Sequence, residues 1–200
     1  MTDEFTWYLA RASGLVAWLL LAVALVWGLL LSSRLLERRP SPAWLLDLHR
    51  HLGALTLVLT AVHLGAIWVD DFVEYSLVEI FVPLASDLER LPVALGAVAF
   101  WLLVTVQLTS WRRVRLPLDL WRRLHWLSAP LIGLASAHGW LIGTDVGHPL
   151  VAVVAIVVAA EVVLITALRV RHGRRPARAG SDGDEGERTH RHGHADQLRA

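Results

Sequence analysis

Apolar runs of roughly 18 to 22 residues, the length at which a helix crosses a hydrocarbon core of about 30 Å, recur five times along this chain. They occupy residues 15–31, 48–69, 93–109, 124–142 and 150–168, separated by short polar stretches. Inside lipid a backbone amide finds no water, so such runs are driven into helices that satisfy their own hydrogen bonds. With 55% hydrophobic residues and a mean hydropathy of +0.49, an ordinary soluble domain is disfavoured. The expected fold is all-α: an integral membrane bundle of five transmembrane helices over residues 1–171, then a polar, disordered cytoplasmic tail over 172–200. The first run is read as a retained span. Asp3 and Glu4 precede it in place of a basic segment, and no small-x-small site closes it before Arg34.

Charge sets the expected orientation. All 19 basic residues are Arg. Twelve flank the spans on one side: Arg34, Arg38, Arg39, Arg112, Arg113, Arg115, Arg122, Arg123, Arg169, Arg171, Arg174 and Arg175. Only Arg11 and Arg90 fall on the other. Arginine-rich short loops stay cytoplasmic, which puts the N-terminus outside and the C-terminus inside a multi-pass cell-membrane protein. The loop holding Asp70, Asp71, Glu74, Glu79, Asp87 and Glu89 becomes an acidic outer segment, with 77–84 lying along the lipid interface. A net charge of +1 gives no reason to expect nucleic acid. Cysteine is absent, so disulfides and thiolate chemistry are excluded, and any redox role belongs to a bound cofactor. Trp7, Trp44, Trp68, Trp111, Trp121 and Trp140 fall at span ends, where an interfacial aromatic belt is expected.

Five of the ten histidines lie in or at the ends of two apolar runs, where ionisable side chains are costly and mark function. His49 and His63 are 14 residues apart, so one helical face carries both, about 40° apart in direction and about 21 Å in height. His125 and His138 are 13 apart, about 20 Å in height but about 140° apart on an ideal helix. Pro130 and Gly133 lie between them, and a proline kink is expected to change that phase. Both spans run the same way, so His49 shares a depth with His125, and His63 with His138. Two imidazoles facing across a bundle suit the iron of a six-coordinate b-type haem, which also needs an apolar slot and cations for its propionates. Gly53, Gly65 and Gly133 are candidates for close approach of a flat ring, and Arg50 and Arg123 for the propionates. His51 points about 120° away from His63 and is the alternative to His49. The competing reading of all four histidines is hydrogen bonding between helices. Glu161, inside the fifth run, is a candidate relay or ligand. The run with His190, His192 and His194 reads as a solvated tail, with loose metal binding as its alternative.

The segments LHRHLGALTLVLTAVHLGAIWVD, residues 48–70, and WRRLHWLSAPLIGLASAHGW, residues 121–140, resemble the ferric reductase-like transmembrane domain family. That family includes ferric reductases, the membrane part of NADPH oxidases, and the haem-binding membrane subunit of a periplasmic methionine sulfoxide reductase system. The resemblance implies two stacked b haems, ligated by His49 with His125 and by His63 with His138. It departs from the methionine sulfoxide reductase branch, which has Arg where His49 stands. Large members carry a cytoplasmic flavin and nicotinamide domain, and this sequence has no G-x-G-x-x-G in a strand-to-helix setting. The expected donor is therefore a separate flavoprotein or quinol, and the acceptor an outer or periplasmic one. A transporter or accessory protein that handles divalent cations or protons through intramembrane His and Glu is the rival class.

Overall fold

The computed structural model describes residues 2–32, 43–70, 74–143, 147–149, 151–153, 155–156, 159–160, 163–164 and 166–167. Met1–Thr166 form one compact unit; the second, Ala167–Ala200, lies outside the described residues but for Ala167. The expected disordered tail, its histidines, Glu161, and Arg34, Arg38 and Arg39 all fall outside them as well. All regular structure among the described residues of the first unit is helical.

Among the described residues three helices are long and apolar enough to cross a membrane. Helix α1 covers Thr2–Ser32, α2 Ala43–Val69 and α4 Arg90–Trp111. Between α2 and α4 the short helix α3, Leu77–Phe81, starts in a capping box: the Ser76 hydroxyl accepts from the Glu79 amide, and the Ser76 amide donates to the Glu79 carboxylate. Leu77, Val78, Val82 and Leu84, in and just after it, are exposed. Trp101 of α4 donates its indole N–H to the Phe81 carbonyl and ties this segment down. Helix α4 follows Glu89, whose φ of 43° is left-handed, and Pro92 sits in its first turn, where a missing N–H costs nothing.

The helix expected over 124–142 is broken. Helix α5, Leu118–His125, ends at a turn through Trp126 and Leu127, and α6, Ser128–Ile142, continues from it. Pro130, in the first turn of α6, has no N–H for the Trp126 carbonyl four residues before it, so the helical ladder breaks at 126–127, one turn ahead of the proline, where a proline kink is expected. The turn tightens instead through the bonds Leu127 N–H to Leu124 O and Ala129 N–H to Trp126 O. Such i to i+3 steps advance about 120° per residue rather than about 100°, which draws the directions of His125 and His138 together. Of the fifth expected span only scattered helical residues are described.

Side-chain bonds give the direction of each helix. Thr6 reaches Asp70 and Trp27 reaches the Leu45 carbonyl, so α1 and α2 are antiparallel. His138 meets Pro92 while His125 meets Ser110, so α4 runs against α5 and α6. One end of the bundle therefore gathers Arg50, Arg112, Arg113, Arg115, Arg122 and Arg123, and the other Asp70, Glu74, Glu79, Asp87 and Glu89. Midway between them lies the best-packed core, Ala99, Leu103 and Leu131 with Leu21, Leu57 and Leu134 against it. Helix α2 packs chiefly on α1, and α6 on α4.

Candidate functional site: two facing histidine pairs

The histidines meet across the bundle at two levels. His49 faces His125 with ring centres 6.1 Å apart and planes at 74°. His63 faces His138 at 6.4 Å and 80°. No hydrogen bond joins either pair. Nitrogens facing each other along the line of centres at such spans would stand about 4 Å apart, too far for a hydrogen bond and about twice a metal–imidazole bond of 2.0 Å. Two metal–nitrogen bonds of about 2.0 Å, each extended by about 1.15 Å to a ring centre, span about 6.3 Å. Both pairs match that figure. No group of three or more His, Cys, Asp or Glu gathers among the described residues. Two imidazoles suffice for a metal that brings its own equatorial ligands, as porphyrin iron does. The residues present fit such a group.

At the acidic end both rings are fixed by the backbone. His63 donates Nδ1–H to the Ala10 carbonyl at 2.7 Å, and His138 donates to the Pro92 carbonyl at 2.8 Å. A carbonyl cannot donate, so Nδ1 carries the proton and Nε2 keeps its lone pair for a metal. Each accepting carbonyl lies four residues before a glycine. A Cβ on Gly14 would stand 2.9 Å from His63 Nδ1, and one on Gly96 would stand 2.8 Å from His138 Nδ1. A helical side chain covers the turn N-terminal to its own Cα, so the missing Cβ at i+4 bares the carbonyl of residue i to a second donor. The glycine makes room for the ring and the carbonyl orients it.

The basic end is built differently. His49 lies over Gly28, whose Cβ would come within 3.0 Å of His49 Cε1, and Ala24 stands four residues before that glycine. The arrangement repeats more loosely: buried His49 Nδ1 lies by the Ala24 carbonyl without meeting hydrogen-bond geometry. His125 has no glycine. Its ring stacks on Trp121 at 5.0 Å and 21°, the Arg113 guanidinium lies 4.6 Å from the centre of the Trp121 ring, and the Ser110 hydroxyl is 3.4 Å from Nδ1.

His51 does not reach His125: it is exposed, and its Nδ1 bonds the Asp47 carbonyl of its own helix. Arg50 pairs with Asp47 at 3.2 Å on the surface, and Arg123 is exposed beside His125 in sequence. Of the expected glycines, Gly53 faces Gln107 Oε1, while Gly65 and Gly133 have nothing within 4 Å. Residues that press on the rings are Gly14, Gly28 and Gly96. The sequence does carry a signal for two of them, since Gly14 and Gly28 are spaced 14 apart, like His49 and His63 on the antiparallel neighbour. Trp121, expected in an interfacial belt, is instead the stacking partner one turn before His125, a spacing at which helical side chains meet.

A model of the family described as "Ferric reductase like transmembrane component" matches residues 13–136, the stretch that contains three of the four facing histidines and the three glycines beneath them. No curated protein and no solved structure matches the chain.

Proposed function

Because the chain belongs to the ferric reductase-like transmembrane family, we propose that it is a membrane electron-transfer subunit holding two b-type haems, one between His49 and His125 and one between His63 and His138. The observation that carries this reading is the pair of ring spans, 6.1 and 6.4 Å, at two separate levels. A haem held by two imidazoles supplies a one-electron iron couple whose potential the protein tunes. The chain's own residues do the rest. Ala10 and Pro92 hold the protons on Nδ1 of His63 and His138, while the Ala99, Leu103 and Leu131 core keeps water from the space between the levels. Arg50 and Arg123 stand at the basic end, where propionates need cations.

In this reading the basic end faces the cytoplasm and the N-terminus lies outside; α1, α2, α4, the α5–α6 pair and the 150–168 segment make five spans of the cell membrane. Electrons enter from a separate flavoprotein or a quinol and leave to an acceptor outside, for which the acidic loop offers a cation-attracting face. Moving one electron outward gains about 2.3 kcal/mol per 100 mV of an inside-negative potential. The rival transporter reading needs polar groups clustered at one depth; here the histidines divide between two.

Vesicles containing the purified protein and trapped ferricyanide, with dithionite added outside, test the function. Bleaching of the trapped ferricyanide, abolished by His63→Ala, is the expected result. Bleaching no faster than in protein-free vesicles would remove the electron-transfer reading.

A further inference from the structure

The two histidine pairs are anchored unequally, and the inequality has a direction. Both rings at the acidic end give Nδ1–H to a backbone carbonyl, at 2.7 and 2.8 Å. Neither ring at the basic end does so with comparable geometry: His49 Nδ1 lies by the Ala24 carbonyl without meeting hydrogen-bond geometry, and His125 Nδ1 has only the Ser110 hydroxyl at 3.4 Å. Donation from Nδ1 to a carbonyl makes the imidazole a stronger ligand through Nε2. A stronger ligand favours the more highly charged, oxidised metal and lowers its potential. At the basic end a fixed cation acts as well, since Arg113 lies over the Trp121 ring that stacks on His125. A positive charge beside a redox centre favours the state with one more electron. Two independent features thus push the same way.

We propose that the basic-end site has the higher reduction potential of the two, set by its weaker carbonyl anchoring and by Arg113, which acts as a positioning and charge-tuning residue through Trp121. The inference rests on the two-haem reading above. The first electron taken up would then reside mainly at the His49–His125 level, and the acidic-end site would be the second to be reduced. Arg113 is exposed and bears on the His125 ring through Trp121.

Anaerobic potentiometric titration of the haem-loaded protein in detergent tests this. Two one-electron waves are expected. Arg113→Gln should shift the higher wave downward and leave the lower in place, and Arg113→Lys should restore it. Trp121→Leu, which removes the stack, should also move the higher wave alone. A single unresolved wave, a shift of the lower wave, or no shift in either variant would overturn the proposal. A preparation without b-type absorption bands would instead overturn the haem reading on which it rests, so the two failures are distinguishable.

Discussion

Replacing Gly96 with alanine is the sharpest perturbation of the acidic-end pair. The added methyl would stand 2.8 Å from both Nδ1 and Cε1 of His138 and 3.2 Å from Cγ. Carbon contacts are comfortable from about 3.5 Å, so the ring must retreat by about 0.7 Å. Its bond to the Pro92 carbonyl, 2.8 Å at present, then stretches to about 3.5 Å, where a hydrogen bond is effectively lost. Overpacking costs about 1–3 kcal/mol, and the lost bond about 1 kcal/mol more. Metal–ligand distances tolerate only about 0.2 Å, so His138 can no longer complete an axial pair with His63. The expected result is a protein that keeps its basic-end haem and loses the other, read as about half the haem per chain and half the reduced absorption band. Gly65→Ala is the control, because nothing lies within 4 Å of a Cβ there. Full haem content with an unchanged spectrum in Gly96→Ala would refute the reasoning.

Other perturbations act on separate parts of the bundle. Gly14→Ala should mimic Gly96→Ala from the opposite side, since its Cβ would stand 2.9 Å from His63 Nδ1, and spectra of the two variants should coincide. Leu131, only 2% exposed, fills the core between the two levels, and Leu131→Ala should cost about 2–5 kcal/mol in unfolding from mixed micelles, with haem content unchanged in the folded fraction. Trp18 donates to the Ser136 hydroxyl at 2.9 Å and joins α1 to α6; Trp18→Phe should cost about 0.6 kcal/mol, the usual worth of such a bond in a membrane. Glu79 is held below its ordinary carboxylate range by bonds from the Ser76 hydroxyl and amide. Its support of the α3 cap is therefore complete above the ordinary range of about 4.3 and lost only as pH falls through the lowered value. Hydrogen exchange over residues 76–81 should stay slow to that point and then quicken; acceleration already near neutral pH would contradict the cap.

The histidine levels are legible in the sequence because a helix converts spacing into height and direction with little freedom, and because lipid leaves few polar residues to confuse the pattern. Intervals of 14 and 13 residues within two apolar runs are enough to match depths. What brings each ring into position is less legible, because it lies on other helices. Gly14 and Gly28 belong to α1 and Gly96 to α4, each on a different helix from the histidine it meets, so no local pattern ties glycine to ring. Gly53, Gly65 and Gly133 share helices with the histidines and therefore point to other surroundings. The break between α5 and α6 is half legible: Pro130 announces a kink, but that it falls one turn earlier and divides the run into two helices follows only from the structure. Arg113 is hidden within an arginine-rich loop whose composition is already explained by topology, and only its position over Trp121 separates it from its neighbours.

Counting haem per chain in the purified protein and in His125→Ala and His138→Ala decides most directly whether facing imidazoles grip iron at two levels. Two haems in the parent, one in each variant, and two single-haem spectra that together reproduce the parent's are the predicted result. A colourless parent protein prepared with ample haem precursor, or variants that retain both haems, would contradict it.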